Sequence, residues 1–252
     1  MVIQAIKDNP VQKFTTNPDS VIKTVGVKWD QEGDAFSFKV NLASNPAITK
    51  RELLSEIAKI FDPLGLASTV IITAKMLFQA LWQTGVDWDG PIPEENNTLW
   101  TEFPEQLPTL EEVKIPRWLN SLKTSTLELH GFSDSSEKAY GAVVYLRSTT
   151  KNVTSAHIVA AKTRVAPVKV VKLPRLESCA PALLTSLVKH GKEALRLPEI
   201  PVICWRDSTI TLGWIYSEPS EVATFVANRV AEIQRNIGKR KLAPRQIPAK
   251  SS

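Results

Sequence analysis

The sequence predicts an α/β domain built on a largely buried sheet, preceded by a smaller α+β unit. Three observations carry that reading. From residue 125 onward, apolar strands alternate with amphipathic helices in the order βββαβα, followed by one more helix, a pattern that closes as a sheet with helices packed on it. Before that point the chain holds one hairpin, two helices and then a stretch rich in proline, glycine and acids. The charge divides at the same place. Residues 1–120 carry 11 Lys+Arg against 16 Asp+Glu, a net of −5, whereas residues 121–252 carry 20 against 10, a net of +10.

Residues 21–42 alternate apolar and polar positions on both sides of Asp30-Gln31-Glu32-Gly33-Asp34, which predicts two strands joined by a polar turn. In TKRELLSEIAKIFDPLG, residues Leu53, Leu54, Ile57, Ile60 and Phe61 recur at helical spacing, Thr49 suits the N-cap, and Asp62-Pro63 ends the helix. A second helix is expected over Thr69 to Gln83. Residues 85–118 read as a connection, helical around Glu94 to Gln106 and ending near Leu119. Strands follow over Leu127 to Asp134, Tyr140 to Arg147 and Ser155 to Thr163. A helix over Leu176 to Leu195 carries Leu176, Ala180, Leu183 and Leu187 on one stripe, so it packs on the sheet. The apolar IPVICW (Ile200 to Trp205) is a fourth strand, followed by a short helix from Ser208 to Tyr216 and another across EVATFVANRVAEIQRNI. Trp205 and Trp214 sit among apolar neighbours and read as core. Few contacts are expected to cross the Pro-rich connection.

Composition excludes several classes. No apolar run approaches the roughly 20 residues of a membrane span, and MVIQAIKDNP has no basic and apolar leader, so an intracellular, cytoplasmic location is expected, not a secreted one. Two cysteines, Cys179 and Cys204, and three histidines support neither a disulfide framework nor a zinc site. The basic half is the candidate nucleic-acid binder.

Three carboxylates stand out in that half. Asp134 ends the first strand, Asp207 ends the fourth, and Glu177 lies near the start of the helix between them. If those strands are parallel neighbours, both aspartates emerge at one edge of the sheet, where open α/β sheets bind ligands. Clustered carboxylates resist ionisation unless a cation neutralises them, and hard oxygen ligands suit Mg²⁺ or Mn²⁺. Two such ions about 3.5–4 Å apart suit phosphodiester hydrolysis. Taken singly, each acid equally suits a turn or helix cap. Ser135, Ser136, Ser208, Thr209 and Asn228 are small polar residues near this cleft, suited either to contacts with phosphate or a 2′-OH or to capping. Pro181 falls four residues after Glu177, which predicts a kink or a late helix start that would move Glu177.

The segments SDSSEKAYGAVVYLR, AKTRVAPVK, LPRLESCAPALL, CWRDSTITLGWI and FVANRVAEIQ resemble, in order, the ribonuclease H domain of Bel-Pao retrotransposon Pol polyproteins. TVGVKWDQEGDAFSFKV, SEIAKIFDPLGLASTVIITAKMLFQALWQ and IPRWL resemble the end of the reverse transcriptase and its connection in that family. The resemblance implies a ribonuclease H-like mixed sheet with flanking helices and a truncated last strand, preceded by a small α+β thumb- or connection-like unit. It implies the divisions 1–84 (thumb-like), 85–122 (connection) and 123–252 (ribonuclease H-like). It also implies that Asp134, Glu177 and Asp207 hold two Mg²⁺ or Mn²⁺ ions and cleave the RNA strand of RNA/DNA hybrids, the partners being a hybrid and the rest of the Pol polyprotein.

The departures shape the expectation of activity. The family's polymerase YxDD-type turn is absent, and so is a fourth metal-binding Asp, since no acid follows Glu232 and the chain closes on RQIPAKSS, like the opening of the family's last segment. Cleavage weakened or lost is therefore expected. The alternative is a catalytically dead nucleic-acid-binding or structural remnant. A Pao peptidase label travels with the family, but Asp134-Ser135-Ser136 and Asp207-Ser208-Thr209 lack the glycine of an aspartic peptidase motif.

Overall fold

The computed structural model describes residues 23–24, 27–40, 49–60, 62–93, 103, 107–119, 121, 124–151, 153–169, 171–206, 209–237 and 242–244. The first strands are β1 (Lys23–Thr24), β2 (Val27–Asp30) and β3 (Ala35–Phe38), antiparallel in that order. The turn forms as its residues dictate: the Asp30 carboxylate accepts the Glu32 and Gly33 N–H groups at 3.2 and 3.3 Å, and Asp34 takes φ 44°. A fourth strand, β4 (Ile115–Pro116), pairs with β3. It comes from the predicted connection, which therefore returns to complete the sheet, and two residues are too few to leave a periodic signal. Arg117 fixes the return. Its Nε and Nη2 donate to the two Asp34 oxygens at 2.5 and 3.2 Å, and its guanidinium lies over the Trp29 ring.

Helix α1 (Lys50–Lys59) starts on a capping box in which Thr49 and Glu52 satisfy each other's backbone N–H groups. Helix α2 (Ser68–Gln83) packs on it through Leu53, Ile57, Ala74 and Leu81. Asp62 does more than stop a helix, because its carboxylate accepts the Leu66 and Ala67 N–H groups at 2.8 and 2.7 Å and shapes the turn into α2. The helix expected around Glu94 to Gln106 lies outside the described residues apart from Phe103.

The larger sheet has five strands in the order β7-β6-β5-β8-β9: β5 (Thr126–Ser135), β6 (Ala139–Thr150), β7 (Val153–Val165), β8 (Val202–Arg206) and β9 (Leu242–Pro244). β5, β6 and β7 form an antiparallel meander, while β8 runs parallel to β5 and β9 parallel to β8. Helix α3 (Leu173–Leu195) lies on one face, where Leu129, Val144, Leu146, Val202 and Cys204 are almost wholly buried. Gly131 permits the close approach: a Cβ there would stand 2.6 Å from Leu184 Cδ1. Helices α4 (Thr209–Tyr216) and α5 (Thr224–Ile237) add Leu212, Ile215, Ile233 and Ile237 to the same core.

Two expectations change here. Helix α3 starts at Leu173, before the expected Leu176, and continues through Pro181. A different proline, Pro174, stands in its first turn, where the missing N–H would have had no partner in any case. Among the described residues the last strand is Leu242–Pro244, and RQIPAKSS, read above as a truncated last strand, lies outside them. The two units are also joined by a hydrogen-bonded seam. β7 is an edge strand whose free peptide groups need partners, and Ala161 N–H donates to Leu64 O at 2.8 Å while Gln79 Nε2 donates to Ala166 O at 2.7 Å. Gly65, at φ 72°, allows this: a Cβ there would fall 1.8 Å from Ala161 O.

Candidate metal and nucleic-acid site

Strand alternation divides the neighbours of Asp134. Leu129 and Gly131 turn towards α3, so Glu128, His130, Phe132 and Asp134 share the other face. Asp134 is exposed, and its Oδ1 accepts the Ser135 N–H at 2.7 Å. Beside it the rings of Phe132, Trp205 and His130 stand nearly parallel, with centroids 6.4 Å apart for Phe132 and Trp205 and 6.1 Å for His130 and Trp205. Trp205 is therefore half-buried on the open face, not in the core as its apolar neighbours suggested. The strand's alternation places Val202 and Cys204 inside and Trp205 outside. Trp205 Nε1 donates to His130 Nδ1 at 3.1 Å, which leaves the neutral imidazole proton on Nε2, facing Glu128. Arg147 also bonds Glu128 and, with His130, holds its carboxyl below the usual carboxylate range.

A cleft of about 400 Å³ opens at this end of the sheet, lined by Asp134, Ser135, Ser136, Phe132 and Trp205 and walled by Ser68, Thr69 and Ile72 of α2. The wall from α2 was not foreseen, because only the seam along β7 brings that helix here. Ser136 holds the turn: its Oγ accepts the Lys138 and Ala139 N–H groups at 3.3 and 3.2 Å and donates to Ala139 O. Ser133 Oγ, in the same cleft, is buried with no partner among the described residues.

Glu177 is half-buried in the second turn of α3. That end of the helix lies at the Asp134 end of the sheet, because Cys179 shares a cleft with Tyr140, the partner of Ser135, while Leu184 sits farther along over Gly131. Asp207 and Ser208 lie outside the described residues, directly after the end of β8 at Arg206, and Thr209 opens α4. Asn228 lines the cleft of Cys179 and Tyr140 instead of the Asp134 cleft. Trp214 is half-buried.

Among the described residues no three His, Cys, Asp or Glu side chains converge to hold a metal ion. The donor chemistry present nonetheless fits a hard divalent ion: an exposed carboxylate beside hydroxyl oxygens, with neither thiolate nor imidazole in the cleft. No helix among the described residues is long and apolar enough to cross a membrane.

A meander of three antiparallel strands continued by parallel strands, helices on one face and an acid at the end of the central strand define a ribonuclease H-like domain. The profile of the Pao retrotransposon-like RNaseH-like domain matches residues 49–208, more than half of the chain, and the chain belongs to that family. No curated protein matches. Among solved structures, the chain is similar to a foamy viral protease-reverse transcriptase in complex with dsDNA (12% identity, TM-score 0.46, 92% of this chain and 45% of that one). A second foamy viral protease-reverse transcriptase structure, also with ds DNA, gives 15% identity, TM-score 0.47 and coverage of 90% and 38%. RNase H1 from Halobacterium salinarum NRC-1 gives 10% identity, TM-score 0.28 and coverage of 49% and 86%. The chain spans less than half the length of the foamy viral proteins it matches.

Proposed function

We propose that the Asp134 cleft is a metal-dependent nuclease centre acting on the RNA strand of RNA/DNA hybrids, in a Pol polyprotein fragment of retrotransposon origin. One observation carries the reading: Asp134 is exposed at the mouth of a cleft, at the end of the central strand, beside the parallel strand β8. Phe132 of β5 pairs with Trp205 of β8, two residues before Asp134. Asp134, Asp207 and Glu177 are the proposed ligands of Mg²⁺ or Mn²⁺. Two such ions, when bound, supply the positive charge for the attacking and leaving oxygens of a phosphodiester. Ser135, Ser208 and Thr209 are the proposed contacts to phosphate or to the 2′-OH that separates RNA from DNA. The division into 1–84, 85–122 and 123–252 and an intracellular, cytoplasmic site of action belong to the same reading.

A second reading, nucleic-acid binding with weak or no cleavage, is supported by the net charge of +10 over residues 121–252, which attracts a polyanion whether or not it is cut. A labelled RNA/DNA hybrid incubated with the chain and Mg²⁺ separates them. Cleavage abolished by Asp134→Asn supports the nuclease; salt-sensitive binding without cleavage supports the second reading. No binding at low salt overturns both.

A further inference from the structure

Trp205 is the last residue of β8 paired with β5, opposite Phe132, and it lines the Asp134 cleft. Its indole has one polar hydrogen, and that hydrogen goes to His130 Nδ1, at 3.1 Å from Nε1. The two rings lie within 14° of parallel, and the Phe132 ring stacks on the indole as well. His130 Nε2 stands 3.4 Å from the Glu128 carboxylate, which Arg147 of β6 also bonds. Tyr145 of β6 pairs with His130 on one side and Ile203 of β8 on the other. Among the described residues, Glu128, Arg147 and Tyr145 are therefore the titratable or charged groups that face the imidazole. Ala156 and Ile158, the next strand along, and Ser68, Thr69 and Ile72, which α2 brings to the cleft, carry no charge.

The contact requires Nδ1 to be an acceptor. Histidine side chains take up a second proton between about pH 5 and 8, and both ring nitrogens are then donors. An Nδ1–H facing the indole N–H makes no hydrogen bond, so the indole must turn from His130 and from its stack on Phe132. The Glu128 carboxylate favours the doubly protonated ring, and Arg147, bonded to the same carboxylate, opposes it. We infer that His130 is a positioning residue: in its neutral form it holds the Trp205 indole as a wall of the Asp134 cleft, and in its protonated form it releases it. The effect on cleavage rests on the reading of the Asp134 cleft given above. His130 itself stands four residues before Asp134 and is not a proposed ligand.

The test is the indole N–H spectrum of the ¹⁵N-labelled full chain by nuclear magnetic resonance, with the Trp205 signal assigned by its loss in Trp205→Phe. Lowering the pH from about 8 to about 5.5 should move that signal to the position it takes in His130→Leu. His130→Asn puts an amide oxygen, which does not titrate, near the place of Nδ1, and should hold the signal of the neutral form at both pH values. Mg²⁺-dependent cleavage of a labelled RNA/DNA hybrid should fall about fivefold more on acidification in the wild type than in His130→Asn, the worth of one neutral hydrogen bond. A merely structural role would leave the wild-type signal unmoved by pH and would harm His130→Asn as much as His130→Leu. If His130→Leu fails to fold by circular dichroism, the wild type and His130→Asn carry the decision. A Trp205 signal unmoved by acid in the wild type would overturn the inference, as would equal pH dependence of cleavage in the wild type and His130→Asn. The expected signals without cleavage by any chain would remove the Asp134 reading and leave the hold of His130 on Trp205 standing.

Discussion

The two faces of the five-stranded sheet are built from the same strands and do opposite work. Leu129, Val144, Leu146, Val202 and Cys204 face α3 and are buried to within a few per cent. One residue along each strand, Glu128, His130, Phe132, Tyr145, Arg147 and Trp205 remain half-exposed, joined by ring contacts and by bonds from Arg147 and His130 to Glu128. Burial on the first face stabilises the fold in proportion to apolar area removed from water. The second face gains little that way, which leaves it available to a ligand. Alternation along a strand thus separates stability from chemistry at a spacing of one residue.

The separation is tested most severely at Asp134. Asp134→Asn should lower Mg²⁺-dependent cleavage of a hybrid by at least about 100-fold, while thermal unfolding shifts by no more than about 0.5 kcal/mol, as for an exposed position. On the buried face the pattern reverses. Leu184→Ala empties the volume over Gly131 and should cost about 2–5 kcal/mol in urea unfolding, whereas Phe132→Ala, 38% exposed on the other face, should cost about half as much or less. Equal costs would break the comparison. Gly65→Ala sharpens it at the seam: a Cβ cannot be accommodated against Ala161 O, so the 64–68 turn must leave β7, at a cost of about 1–3 kcal/mol. Hydrogen exchange at the Ala161 amide reports that opening.

The smallest effect concerns acid. Glu128 titrates below its ordinary value chiefly because Arg147 bonds the ionised form. Its contribution is therefore complete above about 4.5, the unfolded value, and declines as pH falls through the depressed folded value. Both partners are partly solvated, so no more than about 1 kcal/mol is involved. Glu128→Gln should flatten the acid limb of stability against pH, and an unchanged limb would show that Glu128 contributes nothing there.

Much of this was legible in the sequence because it depends on periodicity. Strand alternation located β5, β6 and β7, helical spacing located α3 and α5, and Thr49 marked the start of α1. What was missed depends on contacts distant in sequence. β4 is two residues long and is held in place where Arg117 meets Asp34. The wall of the Asp134 cleft from Ser68, Thr69 and Ile72 exists because an edge strand accepted the turn at Gly65. Trp205 was misplaced because a fully apolar run hides which parity faces the helix; the small Gly131 and Cys204 against the large Phe132 and Trp205 were the available hint. Asn228 was expected beside Asp134, yet α5 carries it to the neighbouring cleft.

The central claim is that Asp134, Glu177 and Asp207 converge on one divalent-ion site at the end of the sheet. Mn²⁺ binding measured by electron paramagnetic resonance on the wild type, Asp134→Asn, Glu177→Gln and Asp207→Asn tests it without requiring catalysis. Each substitution should weaken binding about tenfold or more, because each removes a charged ligand from a shared site. Wild-type affinity in Glu177→Gln or Asp207→Asn would contradict the convergence, whatever Asp134→Asn does.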